Sequence, residues 1–133
     1  MSFKFGKSSE KKLVGVDEKL VRVVRKALTL TPYDIGITCG LRTLEEQREA
    51  LNSGASTTMK SRHLPNSNSE SEAIDFVLYI NGSVVWDDSG AYRKVMQAFV
   101  TAAIEEGVQI ELGGLWSSFI DSCHVQLKRV CYV

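Results

Sequence analysis

The chain has 133 residues, the length of one domain, and it is long enough to bury a hydrophobic core without disulfide or metal support. Hydrophobic residues make up 44% of it and charged residues 24%, which excludes a disordered or collagen-like chain. Lys and Arg together number 16, as do Asp and Glu, so the net charge of zero argues against nucleic acid as a partner.

The sequence also indicates where the chain folds. No apolar stretch is long enough to span a bilayer, and the start of the chain lacks the apolar segment of a signal peptide. We therefore expect a protein that is made and folded in the cytoplasm and does not insert into a membrane. Three cysteines without paired spacing argue against a disulfide framework. We expect Cys39 and Cys131 to act as small apolar residues, and Cys123 to have no redox or ligand role.

The first predicted elements are a helix, a strand and a second helix. Apolar residues at spacings of three and four predict a helix over 17–28, which Pro32 prevents from continuing. Alternation over 34–39 predicts a strand. Thr43 and Glu46 have the spacing of a capping box, which predicts a helix over 44–52 that ends at Gly54.

A β-hairpin and the clearest helix of the chain follow. Residues 73–86 have the pattern of a hairpin, and Asn81-Gly82 is the dipeptide best suited to its tight type I′ turn. Apolar residues repeat as three-one-three-one over 92–104, and Gly107 ends the helix that they predict.

Two short strands complete the predicted order α-β-α-β-β-α-β-β. They cover 108–112, followed by a Gly-Gly turn, and 124–127, while the polar stretch 66–72 is predicted to be a surface loop. The order is typical of an α+β domain. Its small sheet is expected to be antiparallel because the connections between strands are short.

Three residues are candidates for metal chemistry. The chain has only two histidines, His63 and His124, and Asp75 lies among apolar residues in a predicted strand. A buried carboxylate is costly unless it is paired or bound to a metal, and two histidines with one carboxylate form a zinc set with an open position for water. Their spacing matches no simple ligand motif. The residues alone therefore also allow hydrogen-bonded histidines and an Asp75 that faces solvent.

Four segments, in this order, carry a family resemblance. They are 40–47 (GLRTLEEQ), 54–56 with 60–63 (GAS and KSRH), 73–75 (AID) and 113–127 (GGLWSSFIDSCHVQL). Together they resemble the LAS-type zinc peptidases, which include D-Ala-D-Ala dipeptidases and carboxypeptidases and the metal-binding domain of hedgehog proteins. The phage and bacterial L-alanyl-D-glutamate endopeptidase branch is the most similar. The resemblance implies a hedgehog/D-Ala-D-Ala peptidase-like α+β fold, with one catalytic domain over 1–133 and no separate wall-binding domain.

The resemblance also assigns roles to individual residues. It implies that His63, Asp75 and His124 bind one Zn²⁺, with water in the fourth position. Asp121 would be the general base, and then the acid that protonates the leaving amine. Arg42 would hold a substrate carboxylate or stabilise the developing oxyanion.

Further roles are implied around these residues. Ser61 and Trp116 would contact the substrate, and Gln47 would anchor the loop that carries Arg42. The residues alone allow simpler interpretations: a turn or cap residue at 121, a surface arginine at 42 and a core tryptophan at 116.

The sequence departs from the family pattern between the first two ligands. Eleven residues without glycine separate His63 from Asp75, where the family usually has six. We expect the extra residues to form a polar loop that bulges away from the cleft, because such a loop costs little to close. Glu70 and Glu72 are then solvated, although they could instead be alternative ligands or hold a regulatory Ca²⁺. Leu115 stands where the family usually has aspartate.

The implied function is that of a phage endolysin. It would be a zinc-dependent, monomeric enzyme that cleaves the bond between L-alanine and D-glutamate in the stem peptide of bacterial peptidoglycan. It would reach the cell wall when a holin opens the membrane. Two alternatives stay open: a D,D-carboxypeptidase or dipeptidase acting on D-Ala-D-Ala ends, and a zinc-containing wall-binding module without catalysis.

Overall fold

The structure is a computed structural model that describes residues 3–54, 61–115 and 123–129. No helix in these ranges is both long enough and apolar enough to cross a membrane. The elements are, in chain order, α1 (Lys7–Leu13), α2 (Glu18–Leu30), β1 (Asp34–Cys39), α3 (Leu44–Asn52), β2 (Ala73–Ile80), β3 (Ser83–Val85), α4 (Ser89–Glu106), β4 (Ile110–Leu112), a short 3₁₀ helix (Gly113–Leu115) and β5 (His124–Leu127).

The strands form one sheet in the order β1-β2-β5-β4, and β3 pairs with the end of β2. Every pairing of these strands is antiparallel. The predicted α+β fold with a small antiparallel sheet is therefore confirmed.

The two faces of the sheet differ in character. On β2, Ile74, Phe76 and Leu78 belong to the hydrophobic core that α2 and α4 complete. The Phe76 ring lies 5.2 Å from that of Phe99 on α4, centre to centre. Because side chains alternate along a strand, Asp75 and Tyr79 lie on the opposite face. That opposite face carries the polar residues described below, and we call it the site face.

The sequence patterns that predicted local structure are confirmed. Thr43 and Glu46 form the capping box at the start of α3, with both hydrogen bonds present. Asn81 and Gly82 have φ values of 53° and 79°, as a type I′ turn requires. Gly107 ends α4 in a left-handed conformation with a φ of 67°.

Two features of the fold differ from the prediction. Helix α1 was not predicted, because its sequence is polar and only Ser9 and Leu13 are buried. It covers the outer edge of the sheet, where Ser9 Oγ accepts a hydrogen bond of 2.9 Å from the N–H of Ile37 on β1. Strand β4 begins at Ile110 and not at Val108, because the Val108 N–H bonds back to the Ala103 carbonyl at the end of α4.

Candidate metal centre

Three neighbouring strands place one row of side chains across the site face. Asp75 on β2 is paired in register with Cys39 on β1 and with His124 on β5. A register irregularity between Ile37 and Cys39 brings Cys39 to the same face as Asp75. The sheet itself therefore assembles this row, although its members are far apart in sequence.

His63 reaches the row from a loop. Both polar groups of its backbone form hydrogen bonds. The N–H donates to Ser61 Oγ (3.1 Å), and the carbonyl accepts from the Arg42 N–H (2.8 Å). The imidazole is buried, with Nδ1 2.8 Å from the Gly40 carbonyl oxygen. Nε2 lies 3.3 Å from Asp75 Oδ1.

Gly40 is required for this arrangement by close packing. A Cβ atom at Gly40 would lie 2.0 Å from the carbonyl oxygen of Lys12 and 2.8 Å from a Val16 methyl group. No side chain fits there, so only glycine lets the end of β1 approach the end of α1. The Gly40 carbonyl thereby takes the position from which it orients His63.

His124 is oriented in a similar way from within the sheet. Its Nδ1 lies 3.0 Å from Asp75 Oδ1, and its Nε2 lies 2.9 Å from Gln126 Oε1. The amide nitrogen of Gln126 donates in turn to Glu111 (3.4 Å), which assigns the amide oxygen to the His124 side. Residues 124 and 126 share a face because they are two apart on a strand.

The hydrogen bonds assign the protons on both imidazoles. The Gly40 carbonyl and Gln126 Oε1 only accept, so His63 Nδ1 and His124 Nε2 carry the hydrogens. In neutral imidazoles, His63 Nε2 and His124 Nδ1 then present lone pairs toward Asp75 Oδ1. His63 Nε2 is buried and has no hydrogen-bond partner of good geometry in the described ranges. Three acceptors that face one another need a proton or a metal ion between them, so this donor set fits a metal ion.

The pKa values of Asp75 and His63 agree with a cation at this position. Burial alone would raise the pKa of Asp75, but hydrogen bonds from His124 and His63 outweigh it and hold that pKa well below its ordinary value. Burial alone would lower the pKa of His63, but the neighbouring Asp75 and Cys39 raise it to about 10. The site therefore favours positive charge next to Asp75. A metal ion must replace the imidazole proton to bind there.

The structure corrects the prediction for Cys39, which is not merely a small apolar residue. Its Sγ lies 3.6 Å from His63 Nδ1 and accepts a hydrogen bond from Arg42 Nη2 (3.3 Å). Burial alone would raise the pKa of the thiol, but His63 and Arg42 lower it on balance. Candidate ligand atoms of Cys39, His63 and Asp75 lie within 4.8 Å of one another, which makes them a possible metal-binding group.

Arg42 lies beside the same row. Its Nη1 donates to Gln47 Oε1 at 2.8 Å, and Gln47 is fully buried on α3. This confirms that Gln47 anchors the Arg42 side chain. Ser61 is placed by the structure in the His63 loop, where its hydroxyl caps the His63 N–H, and its contact with substrate stays a prediction.

The long segment between His63 and Asp75 closes on itself, as expected. Its two ends are joined by a hydrogen bond of 3.0 Å from the Glu72 N–H to the Arg62 carbonyl, so the two candidate ligands stay together. Asn66 Oδ1 accepts hydrogen bonds from two backbone N–H groups of the loop. The expectation that Glu72 is solvated is wrong. Its carboxylate binds Arg62, Arg129 and Asn66.

Other predicted positions fall in or next to undescribed segments. Asp121 and Trp116 lie outside the described residues, as does Cys131, and their roles stay predictions. Of Cys123, the structure gives a backbone contact, since its carbonyl accepts a hydrogen bond from the N–H of Phe76 on β2. Leu115 is the last residue of the 3₁₀ helix.

Two functional candidates were missed by sequence reasoning. Cys39 carries no signal of its own, since its position depends on its pairing with Asp75 across two strands. The contact between Gln126 and His124 could have been predicted, because an i, i+2 spacing on a strand puts two side chains on one face.

Comparisons with known proteins identify relatives of this chain. Residues 1–129 match a family model described as phage L-alanyl-D-glutamate peptidase. A protein of Escherichia phage T5 named L-alanyl-D-glutamate peptidase is 40% identical over 135 residues, covering 99% of this chain and 94% of that protein. One with the same name from Listeria phage A118 is 42% identical over 93 residues, covering 69% of this chain but 30% of that protein. The crystal structure of the Serratia marcescens L-Ala D-Glu endopeptidase ChiX is similar, with a TM-score of 0.83 and 35% identity. That match covers 96% of this chain and 91% of that one.

Proposed function

Because the chain belongs to the phage L-alanyl-D-glutamate peptidase family, we propose that it is a zinc-dependent endolysin. Its substrate is the stem peptide of bacterial peptidoglycan, and it cleaves the amide bond between L-alanine and D-glutamate. The observation that carries the zinc proposal is the convergence of His63 Nε2 and His124 Nδ1 on Asp75 Oδ1, at 3.3 and 3.0 Å.

His63, Asp75 and His124 would hold the zinc ion. Two imidazole nitrogens and one carboxylate form a ligand set typical of catalytic zinc, which leaves a fourth position open. We favour this set over one that includes Cys39, because Cys39 faces His63 Nδ1, the nitrogen already bonded to the Gly40 carbonyl. When bound, zinc polarises the scissile carbonyl and makes water acidic enough to act as a nucleophile near neutral pH.

Hydrogen bonds behind the ligands would fix the site before substrate arrives. The Gly40 carbonyl holds the His63 ring, and Gln126 holds the His124 ring. Such outer partners fix the ring orientation and raise the basicity of the coordinating nitrogen. The chain therefore supplies a preorganised site with little reorganisation during reaction.

Arg42 would supply positive charge beside the reacting amide. Its guanidinium is held by Gln47 and Cys39 at one end of the row. From that position it would bind a carboxylate of the stem peptide or the oxyanion that develops on the scissile carbonyl. Ser61 and Trp116 would make further substrate contacts.

Asp121 would act as the general base. Its carboxylate takes a proton from the attacking water as the bond to the L-alanine carbonyl carbon forms. It then delivers that proton to the D-glutamate nitrogen as the C–N bond breaks. The products are a carboxylate on L-alanine and a new amino terminus on D-glutamate.

We further propose that residues 1–133 act as one catalytic domain and as a monomer. The alignment that covers 94% of the Escherichia phage T5 relative supports a single domain. Release from the cytoplasm through a holin lesion would bring the enzyme to the wall. Residues 66–72 and the position of Leu115 need no part in these steps.

Digestion of purified peptidoglycan tests this function. We expect new D-glutamate amino termini, and their loss after treatment with a chelator. Release of D-alanine instead would identify a D,D-carboxypeptidase or dipeptidase, and binding without any product would identify a wall-binding module. Asp121→Ala should abolish cleavage but retain zinc, so continued cleavage by this variant would contradict the assigned base.

A further inference from the structure

A cavity of about 600 Å³ lies at the end of the sheet where β1 begins and the β2–β3 turn is located. Its volume is in the range of small-molecule sites in proteins. Residues that line it include Phe3, Pro32, Tyr33, Asp34, Tyr79 and Asn81. None of these residues has a part in the metal centre.

The cavity opens beside the site face, at a distance from the metal centre. Asp34 is the register partner of Tyr79, so their side chains lie on one face of the sheet. Tyr79 is four residues after Asp75 on β2 and therefore shares that face. At about 3.3 Å per residue, the two positions are roughly 13 Å apart along the strand.

The Tyr79 side chain lies against the strand beside it. A Cβ atom at Gly36 would lie 3.1 Å from both Cε2 and the hydroxyl oxygen of Tyr79, so the hydroxyl end of the ring is close to this glycine. Tyr33 contributes a second aromatic side chain to the wall.

Asp34 adds a carboxylate to this aromatic wall. Aromatic faces beside a carboxylate match a sugar ring, which has apolar C–H faces and hydroxyl donors at its edge.

We propose that this cavity binds a saccharide unit of the peptidoglycan glycan strand while a stem peptide lies at the metal centre. The inference rests on the proposed function and goes beyond it, because it assigns a second binding site. L-Alanine is the residue that joins the stem peptide to the glycan. A stem peptide at Asp75 therefore brings the glycan strand close to the site face, along which the cavity lies.

Direct binding tests the site without any cleavage. The probe is a preparation of glycan strands stripped of their stem peptides by an amidase, titrated into the full chain by calorimetry. We expect saturable binding that Asp34→Ala weakens about tenfold, the usual effect of losing hydrogen bonds to a charged group. Asp87→Asn, which neutralises an exposed carboxylate outside the cavity, should bind like the original chain. Absence of binding, or equal weakening in both variants, would overturn the proposal.

Kinetics separate this proposal from the proposed function. We compare kcat/KM for glycan-linked stem peptides with kcat/KM for the same peptide without sugar. The ratio should fall about tenfold in Asp34→Ala. Asp34→Asn, nearly the same in shape, should give a smaller fall and exclude misfolding as the cause. An unchanged ratio in a chain that cleaves both substrates overturns the saccharide site alone. A chain that cleaves neither substrate overturns the proposed function, while the titration still decides the cavity.

Discussion

Asp75 and His124 are register partners on adjacent antiparallel strands, and Asp75 Oδ1 lies 3.0 Å from His124 Nδ1. Backbone pairing thus fixes two of the three proposed ligands relative to each other. His63 is added from a loop whose backbone bonds to Ser61 and Arg42. The candidate metal centre therefore depends on the sheet for its geometry and on one loop for its completion.

Two alternative ligand sets predict different effects of substitution. One consists of His63, Asp75 and His124, and the other has Cys39 in place of His124. Cys39→Ala should retain one zinc per chain, because Cys39 faces the nitrogen of His63 that already bonds to Gly40. His124→Ala should lose most of the zinc, because it removes a proposed ligand. Elemental analysis of both purified variants makes the comparison. Zinc lost from Cys39→Ala and kept by His124→Ala would assign the site to Cys39, His63 and Asp75.

Gln126 should tune metal affinity without binding the metal. Gln126→Leu removes the acceptor for His124 Nε2, and loss of such an outer partner lowers metal affinity by about 10–100-fold. Competition with a chromogenic chelator measures the effect. Gln97→Leu, a matched change at an exposed position of α4, should leave the affinity unchanged. Equal affinities in the two variants would show that Gln126 does not orient the imidazole.

Gly40→Ala should weaken both the fold and the site. The added methyl group would lie 2.0 Å from the Lys12 carbonyl oxygen, so the end of β1 must move. We expect a loss of about 1–3 kcal/mol in the free energy of unfolding, as overpacking usually causes. Cleavage should fall as well, because the Gly40 carbonyl orients His63. Urea denaturation measures the stability.

Gly90→Ala is the control for that substitution. Its Cβ would meet no atom closer than 3.5 Å, and alanine is the better residue inside a helix such as α4. This variant should be as stable as the original chain or more stable. Equal destabilisation by both alanines would refute the steric account.

Glu72 should make stability depend on pH. Burial alone would raise the pKa of this carboxyl, but Asn66, Arg129 and Arg62 lower it below its ordinary value of 4.5. The contribution is therefore present above pH 4.5 and is lost as the pH falls through the lowered pKa of the folded state. We expect Glu72→Gln to cost about 1–2 kcal/mol near neutral pH and progressively less in acid.

Urea unfolding from neutral to acid pH measures the difference in stability between the original chain and Glu72→Gln. Glu70→Gln is the matched change in the same loop, since its carboxylate has no ion pair with any described residue. It should have little effect at any pH. A cost of Glu72→Gln that stays constant into acid would contradict the lowered pKa.

The local elements could be predicted from sequence because their signals lie within a few residues. The capping box of Thr43 and Glu46 and the Asn81-Gly82 turn need no knowledge of the rest of the fold. Helix α1 could not be predicted in this way. Its place depends on the bond between Ser9 and Ile37, which are 28 residues apart.

The candidate site was predictable only in part, for the same reason. The family segments indicated His63, Asp75 and His124, and the structure brings these three together. Cys39 joins them through strand register, and the closure of the long loop depends on the bond between Glu72 and Arg62. Neither contact leaves a pattern in the sequence, because each joins segments whose separation has no fixed period.

The most direct test of the central claim measures metal and activity on one preparation of the protein. Elemental analysis gives zinc per chain, and the same sample is then incubated with purified peptidoglycan, with and without a chelator. We predict one zinc per chain and release of D-glutamate amino termini that the chelator abolishes and added zinc restores. Release of those termini by protein without zinc, unaffected by the chelator, would contradict the account.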